Sequence, residues 1–176
     1  KVQSSGAVFN VDKLHWMNND YIKNYDLVKL TEMSLPYFDK AGLDIADKDK
    51  IKKILSAIRV YLNKLDEIPD HIKIFKQEEI ELEDEKLEEY LTAETSKKVF
   101  SELVEKFKNT DEITSDKYKE LVAEVQKETG VKGKLLFKPI RIALTGSENG
   151  PELPLIAEIF GKDKVFALQK TLSDVQ

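Results

Sequence analysis

Apolar residues recur every three or four positions along most of the chain, which is the spacing of one face of an α-helix. The clearest case begins after Asp47, a residue that can cap a helix, and continues towards Pro69. Its apolar positions are Ile51, Ile54, Leu55, Ile58, Leu62 and Leu65. No stretch alternates apolar and polar residues over the length of a strand. The pattern therefore predicts an all-α fold.

Similar stripes predict helices on both sides of this one. Near the N-terminus, Asp12 could cap a helix whose apolar positions are Leu14, Met17, Tyr21, Ile22 and Tyr25. Later stripes cover 99–107 and 118–125, and two short helices are expected at 152–160 and 163–172, on either side of Gly161. We expect two small packed helical bundles, joined near 108–116.

A basic amphipathic segment stands out in the C-terminal part. Between Gly130 and Ser147 there is no acidic residue, and the cations there are Lys132, Lys134, Lys138 and Arg141. The apolar residues between them are Leu135, Leu136, Phe137, Ile140, Ile142 and Leu144. We expect the apolar set to pack onto a core and the basic set to remain available for an anionic partner.

Composition limits what that partner can be. The chain has 176 residues, and 28 Lys and Arg against 33 Asp and Glu give a net charge of −5. A nucleic-acid site must therefore be a local basic patch on an acidic body. The acidic run from 78 to 94, with Lys86 as its one cation, is expected to be a solvated connector away from such a site.

The sequence lacks the motifs of several kinds of catalytic and metal-binding chemistry. The chain has no cysteine, which excludes disulfides, thiolate nucleophiles and cysteine zinc sites and fits a cytoplasmic protein. It contains no P-loop, no GxGxxG and no zinc-ligand spacing, and His15 and His71 stand in no partner motif. No apolar run is long enough for a membrane span, and the first residues do not form a signal peptide. We expect no catalytic or metal site. The first residue is not Met, so the chain reads as a fragment.

Two motifs resemble a known family. The run GKLLFKPIRIALTG at 133–146, followed by GPEL at 150–153, resembles the C-terminal signature of bacterial-type glutamyl-tRNA synthetases. Near the other end, AVFNVDKLHWMNNDYI at 7–22 resembles the segment after that family's KMSKS-like ATP loop. The resemblance covers essentially the whole chain and is weakest from 78 to 116. The family's N-terminal catalytic half has no counterpart here.

The resemblance implies the anticodon-binding portion of a glutamate–tRNA ligase, a class I aminoacyl-tRNA synthetase. The parent enzyme would attach glutamate to tRNA-Glu with ATP and magnesium, whereas this chain would hold no cofactor of its own. Its partners would be tRNA and its own catalytic domain, and it would act as a monomer without a membrane. Residues 1–37 would be a stem-contact remnant, and 38–110 and 111–176 would be two anticodon-binding helical subdomains.

The same resemblance implies which residues face the RNA. Carried over position by position, Arg141, Pro151 and Leu153 would lie at the anticodon, with Lys138 on the same basic segment. In the N-terminal half the implied residues are Trp16, Lys53, Arg59 and Tyr61. Each also has a structural interpretation: the indole as a core or interface group, the cations after Asp47 as a solvated helix face, and Pro151 and Leu153 as a helix start and core filler.

Tyr61 departs from part of the family. Members that reject tRNA-Gln carry an arginine that an ungapped comparison places at Tyr61. Tyrosine lacks the fork of donors that tells bases apart, and Arg59 would lie about 200° around the same helix. We therefore expect the parent enzyme to accept tRNA-Gln as well. The alternative function for the whole chain is an all-α protein-interaction or scaffold module that binds no RNA.

Overall fold

A computed structural model describes residues 10–77 and 80–162, and within these ranges the chain forms α-helices and short 3-10 turns without a strand. The predicted all-α fold class is confirmed. The chain divides into two compact units, and the boundary in the sequence lies between Ile72 and Lys73. The join predicted near 108–116 is therefore wrong, because that region lies inside the second unit.

From residue 10 onwards, where its structure is described, the first unit contains four α-helices. They are α1 (Val11–Asn24), α2 (Leu27–Lys40), α3 (Lys48–Ile58) and α4 (Ile68–His71), with 3-10 turns at Arg59–Tyr61 and Leu65–Glu67. Helices α1, α2 and α3 begin in the same way: the side chains of Asn10, Asp26 and Asp47 accept a hydrogen bond from the backbone N–H three residues later. The cap of α1 is thus Asn10 and not the predicted Asp12.

The core of the first unit follows the predicted stripe of α3. Ile51, Ile54, Leu55 and Ile58 are fully buried, and α2 packs against α3 and contributes Phe38. In contrast, most of the predicted stripe of α1 is exposed and only Ile22 is buried. The face of α1 that is covered carries the partly buried His15, Asn18 and Asn19 besides Ile22, so the predicted stripe is not the buried face among the described residues.

Helix α3 ends earlier than predicted. The apolar spacing continues to Leu65, yet the α-helix ends at Ile58 and Leu62 has an extended backbone. Asn19 of α1 supplies the reason, because its side-chain amide donates to the carbonyls of Val60 at 3.1 Å and Leu62 at 2.8 Å. These carbonyls are therefore paired without a further turn of α-helix.

The second unit is built around three longer helices. Its α-helices are α5 (Lys73–Lys76), α6 (Glu88–Thr92), α7 (Glu94–Lys108), α8 (Ser115–Thr129), α9 (Lys134–Thr145) and α10, which begins at Leu153 and is described to residue 162; a 3-10 turn lies at Glu85–Leu87. One core joins α7, α8, α9 and α10 through Phe107, Val125, Ile140 and Ile156. The predicted helix 152–160 is thus observed with a start at 153, whereas 163–172 lies outside the described residues.

The acidic segment lies against the end of α9. Gly146 ends that helix with a φ of 72°, and its carbonyl accepts a hydrogen bond of 3.0 Å from the N–H of Glu83. A Cβ atom at Gly146 would lie 1.9 Å from the carbonyl oxygen of Glu81. The close approach of the two backbones therefore requires glycine at this position.

Candidate nucleic-acid interface

An open groove of about 870 Å³ lies between α8, α9, the loop at 146–152 and the start of α10. We call it the α8–α9 groove. Its cationic lining consists of Lys119, Lys134, Lys138 and Arg141, and its acidic lining of Glu148 and Glu152. The apolar and aromatic lining includes Tyr118, Val122, Phe137, Leu153 and Pro154. Cations, an aromatic ring and an apolar wall thus share one concave surface.

The sequence of α9 explains why these groups meet. Lys134, Phe137, Lys138 and Arg141 are spaced by three and four residues, so they project from one face of the helix. On the other side, Leu136, Ile140, Ala143 and Leu144 are buried in the core of the unit. The predicted division of this segment into basic and apolar faces is therefore present, with two exceptions. Leu135 and Phe137 were expected to pack onto the core, but they are 60% and 44% exposed.

Arg141 has a structural bond as well as a place in the groove. Its Nη1 group donates a hydrogen bond of 2.8 Å to the carbonyl oxygen of Pro151. This bond uses one of the five N–H donors of the guanidinium group and ties the 146–152 loop to α9. The remaining donors belong to a half-buried side chain that lines the groove.

Lys138 is also paired within the groove. Its Nζ atom lies 2.5 Å from a carboxylate oxygen of Glu148 and 4.0 Å from the centre of the Tyr90 ring. The hydrogen bond to Glu148, followed by the one to Tyr90, raises the pKa of Lys138 above its ordinary value. The side chain thus remains a cation, and a phosphate group would have to share or replace the contact with Glu148.

Pro151 and Leu153 are both buried. Leu153 belongs to the core of the unit and also reaches the groove wall, whereas the contribution of Pro151 is its carbonyl, which accepts from Arg141. Pro154 lines the groove, although the carried-over positions did not include it. The structural roles are evident for both predicted residues, and their contact with RNA stays a prediction.

The other four predicted residues lie in the first unit. Trp16 is 69% exposed on α1, Lys53 is exposed on α3, and Arg59 and Tyr61 lie in the 3-10 turn after α3. The Tyr61 ring stacks on His71, with 6.2 Å between the ring centres. Since Trp16 is exposed, it is not a core residue of the described chain. The RNA-facing roles of these four residues stay predictions.

The residues implied to face the RNA did not include Tyr118, Lys119 and Phe137, which line the groove, and Lys134 was expected only as one cation of the basic segment. Lys134 carried a signal, since it is spaced by four and seven residues from Lys138 and Arg141 on one helix. Tyr118 and Lys119 come from α8, and the periodicity of one helix does not reveal which neighbouring helix will face it.

Residues 10–77 and 80–162 contain neither a metal-binding cluster nor a membrane-spanning helix. No group of three or more His, Asp or Glu side chains in these ranges could hold a metal ion. Within the same ranges, no helix has the length and apolar character needed to cross a membrane.

Comparison with known proteins agrees with the resemblance that the two motifs suggested. The family model described as an anticodon binding domain matches residues 29–168. Glutamate–tRNA ligase 1 of Caldicellulosiruptor saccharolyticus is 39% identical over 170 residues, covering 94% of this chain and 35% of the relative. The glutamate–tRNA ligase of Bacillus subtilis is 36% identical over 177 residues, covering 98% and 36%. The chain thus spans about a third of the length of these curated relatives.

A solved structure shares the fold. The crystal structure of a glutamate tRNA ligase from Elizabethkingia meningosepticum matches with a TM-score of 0.86 and 21% identity, covering all of this chain and 35% of the other. The family match extends over most of both units and includes all of α9 and the 146–152 loop. The chain therefore belongs to the family of anticodon binding domains.

Proposed function

We propose that this chain is the tRNA-recognition part of a glutamate–tRNA ligase and that the α8–α9 groove receives the anticodon loop. The observation that carries the proposal is the groove itself. In a chain with a net charge of −5, four cations and an exposed phenyl ring line one concave surface. Family membership and the names of the relatives support the same function.

The groove offers what recognition of single-stranded RNA requires. The bases of a loop can leave the helical stack, lie on aromatic or apolar surfaces and present their edges to hydrogen-bonding groups. Phe137 supplies an exposed aromatic surface, and Lys119 and Lys134 are exposed cations that suit phosphate groups. Arg141 supplies donors in a fixed planar arrangement, which suits the acceptors of a base edge.

The chemistry of the parent protein would belong to the part that the relatives have beyond this chain. That part would join glutamate to tRNA in the cytoplasm, with ATP and magnesium, and this chain would select the tRNA. The exposed apolar residues of α1, among them Leu14 and Met17, favour contact with the catalytic domain. Covering solvent-exposed apolar groups lowers the free energy of the complex.

Binding of the anticodon loop can be tested with two RNA hairpins. One is the anticodon stem-loop of tRNA-Glu, and the other has the same stem closed by an unrelated tetraloop. We expect the 176-residue chain to bind the first hairpin more tightly, because the stem phosphates are common to both and the loop bases are not. Equal affinities would show that the chain does not recognise the loop and would overturn the proposal.

We further propose that the parent enzyme accepts tRNA-Gln in addition to tRNA-Glu. The observation behind this is that Tyr61 stands at the implied position of the discriminating arginine and stacks on His71. A phenol can stack on a base or make a single hydrogen bond, but it does not offer the paired donors of a guanidinium.

Specificity for the third anticodon base can be measured with stem-loops of tRNA-Glu and tRNA-Gln that differ at that base alone. We expect their affinities for this chain to agree within about tenfold, which corresponds to about 1.4 kcal/mol. A preference of a hundredfold or more for the tRNA-Glu hairpin would show that a discriminating residue exists elsewhere in the chain.

A further inference from the structure

The side chain of Tyr118 presents an unusual combination of burial and unmet hydrogen bonding. Tyr118 is 2% exposed, and among the described residues its hydroxyl group has no hydrogen-bond partner. A buried polar group without a partner is rare, because it loses its hydrogen bonds to water and gains none in return. A hydroxyl group without a partner costs stability, so the burial of this one calls for an explanation.

The position of the ring connects this hydroxyl with the groove. Tyr118 lies in the first turns of α8 and lines the α8–α9 groove, and its ring stacks on Phe107 with 6.2 Å between the ring centres. Phe107 is itself buried in the core, so the tyrosine ring is held in a fixed orientation. A hydroxyl group on a fixed ring is prepared for a partner that enters the groove.

The surroundings favour the hydroxyl group as a donor. Burial raises the pKa of Tyr118, so the phenol keeps its proton, while the nearby positive charge of Arg141 acts in the opposite direction. A protonated phenol next to a cation is a good hydrogen-bond donor, and the matching ligand atom is an acceptor: a carbonyl oxygen, a ring nitrogen or a phosphate oxygen.

The depth of the site distinguishes a base from a phosphate. Lys119 and Lys134, which suit a phosphate, are exposed at the rim of the groove, whereas Tyr118, Val122 and Leu153 are buried. A phosphate group at that depth would lose its hydration beside Val122 and Leu153, and Arg141 would compensate this cost only in part, because it already donates to the carbonyl of Pro151. A nucleobase can lie against apolar walls and still present an acceptor on its edge.

We propose that Tyr118 is a specificity-determining residue, whose hydroxyl donates a hydrogen bond to an acceptor on one unstacked base of a bound RNA loop. This inference rests on the proposed function of the groove. Because the hydroxyl is closed to water in the unliganded protein, the incoming base must displace the groups that cover it.

The substitution Tyr118→Phe tests the proposal, since it removes the hydroxyl and keeps the ring. The affinity of the 176-residue chain for the tRNA-Glu anticodon stem-loop should fall about three- to tenfold, equivalent to about 0.7–1.4 kcal/mol. The stability of the unliganded variant in urea unfolding should be equal to or higher than that of the parent, because an unpaired polar group has been removed. Tyr37→Phe, in α2 and outside the groove lining, is the matched control.

Loop hairpins with an abasic site at each anticodon position in turn separate a base from a phosphate. At one position, the parent and the Phe variant should bind the abasic hairpin equally, since the acceptor is then missing for both. If the two proteins converge only when a loop phosphate is replaced by an uncharged methylphosphonate, the assignment to a base is overturned.

The remaining outcomes separate the role of Tyr118 from the proposed function of the groove. Full RNA affinity of the Phe variant overturns the role of Tyr118 while the proposed function stands. Full affinity together with lower stability would also overturn it and would assign the hydroxyl to a bound structural water. If the parent chain binds no hairpin, the proposed function itself fails, and with it this inference.

Discussion

At the scale of single residues, two basic side chains of the groove contact the 146–152 loop before any RNA arrives. Arg141 donates to the carbonyl of Pro151, and Lys138 contacts the carboxylate of Glu148. Both partners belong to the 146–152 loop, so the two cations hold this loop against α9. The groove is thereby shaped in advance, which reduces the ordering that binding would otherwise require.

Replacing Arg141 by Ala should weaken binding of the tRNA-Glu anticodon stem-loop by about 1–3 kcal/mol, because donors for a base edge are lost. Arg141→Lys should recover only part of this loss, since the ammonium group has no planar fork. Lys127→Ala is a suitable control, because it removes one positive charge from α8 at an exposed position outside the groove lining. Titration by fluorescence anisotropy measures the differences. If the Ala variant bound like the parent while keeping its circular dichroism spectrum, Arg141 would have no role in recognition.

The sequence revealed part of this residue-scale picture. Lys138 and Arg141 are three residues apart, so their common helix face follows from helical periodicity alone. Phe137 could not be assigned in the same way, because it lies at the edge of the apolar stripe and only the packing of neighbouring helices decides whether an edge position is covered. Tyr118 reaches the groove from another helix, so its position depends on tertiary packing.

At the scale of helices, two glycine C-caps provide a comparison within one chain. Gly130 ends α8 and Gly146 ends α9, each with a φ of 72°. A Cβ atom at Gly130 would meet nothing within 4 Å, whereas one at Gly146 would overlap the backbone of Glu81. The two positions therefore share the cost of a left-handed backbone and differ only in their surroundings.

We expect Gly130→Ala to lower the free energy of unfolding by about 1–2 kcal/mol, the usual cost of a left-handed conformation for a residue with a Cβ atom. Gly146→Ala should cost clearly more, about 3 kcal/mol or above, since the backbone at Glu81 must also shift. Urea unfolding of the two variants and the parent measures both values. Equal losses for the two variants would show that the contact between Gly146 and Glu81 is not tight.

Helices themselves were the most predictable elements, and their ends and partners the least. The stripe of α3 predicted its buried residues correctly, but the spacing of Leu62 and Leu65 continued a helical pattern beyond the true end at Ile58. The hydrogen bonds from Asn19 that pair the carbonyls of Val60 and Leu62 come from another helix, and nothing in the local sequence signals them. A pattern of apolar residues likewise does not say what covers the face of α1.

At the scale of the whole molecule, the chain is acidic overall, and four of its 28 cations line the α8–α9 groove. The predicted boundary near 108–116 missed the division at Ile72 and Lys73, because apolar stripes identify buried faces without saying which helices share a core. Helices α7 and α8 lie on either side of the predicted boundary and pack together. The functional labels given to 1–37, 38–110 and 111–176 stay predictions.

The most direct measurement of the central claim is a titration of this chain with the tRNA-Glu anticodon stem-loop at two salt concentrations. We expect saturable binding that weakens as salt rises, with a log–log slope of about −0.7 for each single-strand phosphate neutralised by the groove cations. A helical scaffold module with an acidic surface would instead repel the RNA. The absence of saturable binding at both salt concentrations would contradict the assignment of the α8–α9 groove to RNA.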